Sequence, residues 1–411
     1  MSRRRGLRID RRSDVAALVD RQFDRHDHAR PAQVAAFTAA LKPSEDRLMA
    51  LQTAGNPMQW TDQVFIEAKW LLHYTTDWGR LDRELGRLSQ SFERPDQAVA
   101  VQQSPIDGAW GQAYAEWFLK LDASIDGLNE LADAGADAAY PLAFLAPVST
   151  MDGMQATLGA LRCSDIVVTG LDNRDAFGSL TTFLSEVLFK KGLRACIEQH
   201  TTGFTITDAM VDSYRAWQDG WQDPETGFWG AWYRDGHRTV KAPDLSFTFH
   251  TVSYRRGKVE LWPRIIDTLL GMKDCGYPYG WKSNGRYLNH NNYDVVKILG
   301  YGWAEATDAQ RTAASAAIGE LLDWCLTSSL QPDGSFAIDP DAYSSVADAF
   351  YYGVVFLDIC GYWDKAKRFW TDQDFPDAKA KAALIAGRIR ALGLTEESAK
   401  AALAIVDAVV S

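Results

Sequence analysis

Along most of the chain, apolar residues recur at helical spacing, and the helices they predict are of two kinds. Charged and apolar positions interleave three and four apart in Asp14-Val15-Ala16-Ala17-Leu18-Val19-Asp20 and in Val34-Ala35-Ala36-Phe37-Thr38-Ala39-Ala40-Leu41. Pro43 and Pro57 then punctuate the chain, and a unit of loop, aromatic-rich helix, turn and ordinary amphipathic helix recurs. Aromatic helices are expected over 58–74, 110–121, 246–254, 291–303 and 345–362, and helices polar on one face over 308–327 and 377–392. The first kind looks buried on two sides and the second on one, an alternation that concentric inner and outer rings would produce.

At roughly fifty to sixty residues per helix pair the chain holds about six or seven pairs. No Gly/Ser- or Pro-rich linker marks a boundary, so residues 1–411 read as one domain. The expected fold is all-α, a single (α/α) toroid or incomplete barrel of inner and outer helices. One small β-hairpin is expected near 228–241, where Asp235-Gly236 lies between β-prone runs. Two further segments repeat each other. Gln222-Asp223-Pro224-Glu225-Thr226-Gly227-Phe228-Trp229 and Gln331-Pro332-Asp333-Gly334-Ser335-Phe336 are both Gln-led turns that close on Gly and an aromatic.

Composition changes the picture in three respects. With 46% hydrophobic and 24% charged residues the chain buries a large core. The 15 Trp either fill that core or line a cleft, where flat rings suit the apolar faces of sugars. A net charge of −11 argues against a nucleic-acid partner, which needs a clustered basic face. Cys163, Cys196, Cys275, Cys325 and Cys360 are widely spaced and read as reduced core residues, not as a zinc site. Arg3, Arg4 and Arg5 are followed by Asp10 and Asp14 where a signal peptide needs an apolar stretch. No window approaches the roughly 18 apolar residues of a membrane span. The expectation is therefore a cytoplasmic protein with no membrane partner, or a periplasmic or secreted one if a leader has been trimmed.

Chemistry concentrates in two places. The densest polar cluster is Asn284-Gly285-Arg286-Tyr287-Leu288-Asn289-His290-Asn291-Asn292-Tyr293-Asp294, ahead of an apolar run. One reading is a capped helix start; against it, one cap needs one side chain, and here four Asn, a His, an Arg and two Tyr crowd together. The second place is His250, at the start of an aromatic helix, with Tyr254 one turn later on the same face. Terpenoid cyclisation would need an Asp-rich motif that the chain lacks. Glycoside hydrolysis needs two opposed carboxylates, for which Asp107, Asp152, Asp294 and Asp348 are available. β-Elimination from a uronate needs a base, an acid and neutralisation of the carboxylate, and His, Tyr, Asn and Arg supply these without metal or other cofactor.

The Gln-led turns resemble those of α/α toroids, including terpenoid cyclases and toroidal polysaccharide lyases. Residues 244–254, Asp-Leu-Ser-Phe-Thr-Phe-His-Thr-Val-Ser-Tyr, and 289–293, Asn-His-Asn-Asn-Tyr, resemble the catalytic segments of those lyases, closest to polysaccharide lyase family 38, single-toroid enzymes acting on alginate or glucuronan. The resemblance implies a carbon–oxygen lyase acting on an anionic poly- or oligosaccharide, with oligomeric state open. It puts the base on His250 or on His237 in the hairpin, the acid on Tyr293, and carboxylate neutralisation on Arg286 with Asn289, Asn292 or His290. Substrate contacts are sought at Tyr254, Trp229, Gln59, Trp60, Asn173 and Arg174, though Arg174 between Asp172 and Asp175 also reads as surface charge. A glycoside hydrolase of the same architecture and a non-catalytic carbohydrate-binding scaffold remain as alternatives.

Overall fold

The computed structural model describes residues 14–54, 60–93, 103–111, 114–201, 203–339, 342–343 and 345–411. The chain is mostly helical, 66% helix and 5% strand, with a small three-stranded sheet. Its N-terminal helices are α1 (Asp14–His26), α2 (Arg30–Thr53), α3 (Trp60–Tyr74) and α4 (Trp78–Glu93). There follow α5 (Trp117–Ala134), α6 (Met151–Leu161), the short α7 (Ile166–Thr169), α8 (Arg174–Phe189), α9 (Lys191–His200) and α10 (Asp208–Trp221). After a hairpin come α11 (Leu245–Tyr254), α12 (Trp262–Gly271), α13 (Asn289–Gly302), α14 (Asp308–Trp324), α15 (Val346–Ile359), α16 (Ala378–Leu392) and α17 (Glu397–Val410). No helix among the described residues is long and apolar enough to cross a membrane.

Helices α5, α8, α11, α13 and α15 pack each on the next in that order, while α9, α12, α14 and α17 lie against them. One apolar core runs through this set from Ala109 to Val406 and includes Phe177, Trp221, Trp281 and Phe350. Helices α2–α4 carry a separate apolar cluster of Leu41, Leu48, Val64, Phe65, Leu71, Leu81 and Leu88. The five cysteines are unpaired, three of them buried.

The helix expected from Trp110 instead begins at Trp117. Trp110 folds back over that helix, and a Cβ added to Gly127 would run into its indole. Gly111, at φ 66°, makes the reversal. Helix α8 belongs with the aromatic set although its sequence is Phe- and Leu-rich without Trp or Tyr, and its buried face carries Phe177, Leu180, Phe183, Leu184 and Val187.

The hairpin forms where expected. Strand β2 (Trp232–Asp235) pairs antiparallel with β3 (Arg238–Lys241) across Gly236-His237, and β1 (Cys163–Ser164) adds a short parallel edge that no two-residue period could announce. Both Gln-led turns also form. Gln222 Nε2 donates to Gly227 O at 2.9 Å, and Gln331 N donates to Ser335 O at 2.8 Å. Gly227 and Gly334 have φ of 73° and 86°, and an added Cβ would meet Ile265 N of α12 at 2.9 Å and Leu384 O of α16 at 2.7 Å. Each turn thus seats its backbone directly against a helix.

Alanine at Gly227 or Gly334 meets both the left-handed backbone penalty, about 1–2 kcal/mol, and those contacts. Each variant is expected to lower unfolding free energy by more than about 1 kcal/mol in urea titration. Gly220→Ala in α10, with open space around its Cα, should be neutral or slightly stabilising.

Candidate active site

The five successive helices each keep one polar, incompletely buried face. On α13 it is His290, Tyr293 and Lys297, three and four apart; on α11 it is Ser246, His250 and Tyr254; on α15, Asp348, Tyr351 and Tyr352; on α5, Asp122 and Asp126. These faces meet. Tyr254 OH donates to Glu186 Oε1 of α8 at 2.7 Å, and Ser179 Oγ of α8 donates to Asp122 Oδ2 at 2.7 Å. The His250 ring stacks on Tyr254 with centroids 6.0 Å apart, and Tyr352 touches the rings of His290 and Tyr293 at 4.3 and 6.5 Å. From α5, Asp126 is close enough to feel both Glu186 and Asp348. A cleft of ≈ 1460 Å³ lies beside this interior, lined by His250, Arg174, Asp122, Asp175 and Ser179 on one side and by α2 and α3 on the other.

The starts of the helices are fixed by buried charge. Asp244 caps α11, accepting from Phe247 N at 3.0 Å, and the same carboxylate takes Arg174 Nε at 2.9 Å and Nη2 at 3.1 Å. Arg174 Nη1 also reaches Asp175 Oδ1 at 2.8 Å. Arg174 is therefore no surface charge; it locks the start of α8 to the start of α11 and lines the cleft. His250 sits in the middle of α11, not at its start.

At α13 the expectation of an Asn-capped helix start is replaced by another arrangement. Leu288 occupies the cap position without a side-chain cap, and the Tyr343 hydroxyl lies close enough to the backbone N–H groups of Asn289 and His290 to feel them. Asn289, Asn291 and Asn292 lie inside the first turn and are buried. Asn289 Nδ2 donates to Ser329 Oγ and Asn291 Nδ2 to Trp281 O, each at 2.9 Å. Among the described residues, neither side-chain polar atom of Asn292 and neither carboxyl oxygen of Asp294 has a hydrogen-bond partner. Burial pushes the Asp294 carboxyl well above the usual range, against the opposing field of Lys297.

Burial, with the fields of His290, Arg174 and Lys297 behind it, pushes His250 down to about 3, and burial alone pushes His290 down to about 4. Both rings are neutral at pH 7. Burial, then Asp294 and Tyr301, pushes Tyr293 up to about 12, so its phenol keeps its proton. Lys297 Nζ donates to that phenol at 2.7 Å and lies 4.9 and 5.3 Å from the ring centres of Tyr293 and Phe249. Phe249 in turn touches the rings of His250 at 5.1 Å and Tyr293 at 5.6 Å. Among the described residues no carboxylate comes within ion-pair distance of Lys297. Asp122 is exposed on the cleft wall; desolvation there pushes its carboxyl up to about 7, opposed by the Ser179 hydrogen bond and aided by Asp175.

Other expected positions fall elsewhere. His237 is exposed at the hairpin tip, away from His250. Arg286 is exposed on the turn 283–286, held by paired backbone bonds between Ser283 and Arg286; Ser283 and Asn284 reach the cleft wall and Arg286 does not. Trp229 is core, 1% exposed, its indole N–H bonded to Gln218 O at 2.8 Å. Asn173 occupies the cap position of α8 without a side-chain cap. Gln59 and the side chain of Trp60 lie outside the described residues. Of the carboxylates considered for hydrolysis, Asp107 is bound by Lys120 Nζ at 2.6 Å, Asp152 is exposed at the start of α6, Asp294 is buried and Asp348 is on the interior face.

Lys297 and Asp122 escaped the sequence reading, and each had a signal. Lys297 is the one charge in the apolar run from Val295 to Leu299, a turn after Tyr293; Asp122 and Asp126 are an acidic pair at i, i+4 in an aromatic helix. No protein-family model, characterised protein or solved structure matches the chain. Among the described residues no three His, Cys, Asp or Glu side chains group to hold a metal ion.

The shifts set opposing pH dependences. Between about 3 and 6.5 the unfolded chain binds a proton that His250 in the fold refuses, so stability falls as pH drops through that window. Asp122 binds its proton more tightly folded than unfolded, so its contribution is lost as pH rises from 3.8 to about 7. Urea unfolding of His250→Gln should therefore show a shallower loss on acidification than the parent. Asp122→Asn should show a gain relative to the parent toward neutral pH; parallel curves for either variant contradict its assignment.

Proposed function

We propose that the paired helices close into a toroid whose interior cleaves a 1,4-linked uronan, glucuronan or alginate, by β-elimination. The order in which α5, α8, α11, α13 and α15 pack, polar faces together and other helices behind, supports the closed arrangement. The observation that carries the chemistry is Lys297, a cation without a carboxylate partner among the described residues, hydrogen-bonded to a protonated Tyr293 and with its field reaching His250. In this reading Lys297 neutralises the uronate carboxylate and takes the role expected of Arg286. His250 removes the C5 proton, and the C–H electron pair forms a C5=C6 double bond as the carboxylate C=O pair moves onto oxygen, giving an enediolate-like intermediate. Its collapse forms the C4–C5 double bond and breaks the bond to O4, which takes the phenolic proton of Tyr293. Lys297 then stabilises the tyrosinate until solvent returns the proton and relieves His250 of its own. His290, Asn289 and Asn292 form the buried backing that sets the Tyr293 turn, and Tyr254 orients the His250 ring.

One observation favours a second reading. A carboxyl near pH 7 at Asp122 suits the general acid of a glycoside hydrolase, with Asp126 or Asp348 as its partner. Glucuronan or alginate treated with protein and chelator distinguishes the two: elimination raises the ultraviolet absorbance of a conjugated enoate, whereas hydrolysis yields reducing ends without it.

Tyr293→Phe and Lys297→Met should each lower kcat about 100-fold or more, with Arg286→Ala within a few-fold of the parent. Full turnover by Tyr293→Phe removes that residue from the mechanism. Because His250 stays neutral well below its ordinary range, kcat/KM should show no fall at the usual imidazole pH, and a limb near 6.5 assigned to His250 would contradict this mechanism.

A further inference from the structure

The cleft is larger than one sugar requires. Small-molecule pockets run to about 300–1,000 Å³, and this one measures ≈ 1460 Å³. Only one of its walls holds His250. The other is built by α2 and α3, which present Phe65, Ile66, Lys69, Trp70 and His73 to it. That wall has features its own packing does not account for. Ile66 is 39% exposed on a helix whose neighbours on the other side, Val64, Ala68 and Leu71, are fully buried. Trp70 stands with its ring 4.8 Å from Phe118 of the opposite wall, and among the described residues its buried indole N–H has no acceptor. Flat and branched apolar groups beside the Trp70 indole, with Lys69 held 3.8 Å from Glu45 at their edge, match a sugar chain, whose rings carry apolar faces and whose edges carry hydroxyls.

We infer that the α2–α3 wall is a distal subsite, binding the part of a uronan chain away from the bond that breaks, so that long chains are preferred and cut internally. The inference rests on the uronan reading of the site. Contacts made far from the reacting bond hold ground state and transition state alike, so their loss raises KM and leaves kcat.

Ile66→Glu tests this at an exposed position, placing a negative charge on the wall without emptying the core; Trp70→Phe, which keeps the ring and removes the donor, is the second variant. Affinity for a long and a short oligoglucuronate is measured by titration calorimetry on the full chain, and unsaturated product is followed separately. The expected result is about tenfold weaker binding of the long oligomer to Ile66→Glu, with a smaller loss for Trp70→Phe and no change for the short one. Equal loss for both lengths, no loss for either, or no binding of the long oligomer to the parent overturns the subsite. Length-dependent loss without any unsaturated product keeps the subsite and removes the elimination reading instead.

Discussion

The buried pair between Arg174 and Asp244 is the constraint on which the interior depends. Asp244 has no exposed surface, and its carboxylate must satisfy one backbone amide of α11 and two guanidinium N–H groups at once. Burying such a charge is tolerable only with its partner in place, and removing one member of a buried pair costs about 3–5 kcal/mol. The pair therefore fixes where α11 starts relative to α8, and through that the rotation of α11 that turns Ser246, His250 and Tyr254 inward. Arg174 brings its charge to the cleft already spent on Asp244 and Asp175, so it steers little toward a substrate anion.

Enclosure leaves the interior less charged than its composition suggests. His250 and His290 are held neutral, and the Asp294 and Asp122 carboxyls are pushed upward. Desolvation pushes acids up and bases down, which is how a pocket comes to hold a neutral base and a neutral acid together. Against that background Lys297 stands out as a cation balanced by aromatic faces and a phenol rather than by a carboxylate.

Periodicity made the helices legible, and turn chemistry made the hairpin and the two Gln-led turns legible, because each rests on interactions within a few residues. The starts of α5 and α13 were not, because they are decided by distant groups. Trp110 folds onto Gly127, and Tyr343 comes up to the first turn of α13 from more than fifty residues away. The same limit shaped the site. His250, Tyr293 and His290 could be picked out by residue type and setting, whereas Arg286 and Trp229 have the right chemistry and face the wrong way, one outward on a turn and one into the core. Lys297 lay inside a run that reads as helix core, and only the facing α11 and α15 give that position its polar surroundings.

The separate apolar cluster of α2–α4 bears on how the molecule breathes. Arg80 holds Glu67 of α3 within this unit and reaches Glu116 of the body, the Tyr74 carbonyl accepts from Asp172 N, and Trp70 carries the apolar contact across to Phe118 of α5. A segment with its own apolar cluster can open partially and exchange its amides while α8, α11 and α13 stay protected. Since α2 and α3 form one wall of the cleft, partial opening of this unit would change the shape of the cleft, and a weakened α2–α4 interior would loosen that wall before any change in the melting of the whole.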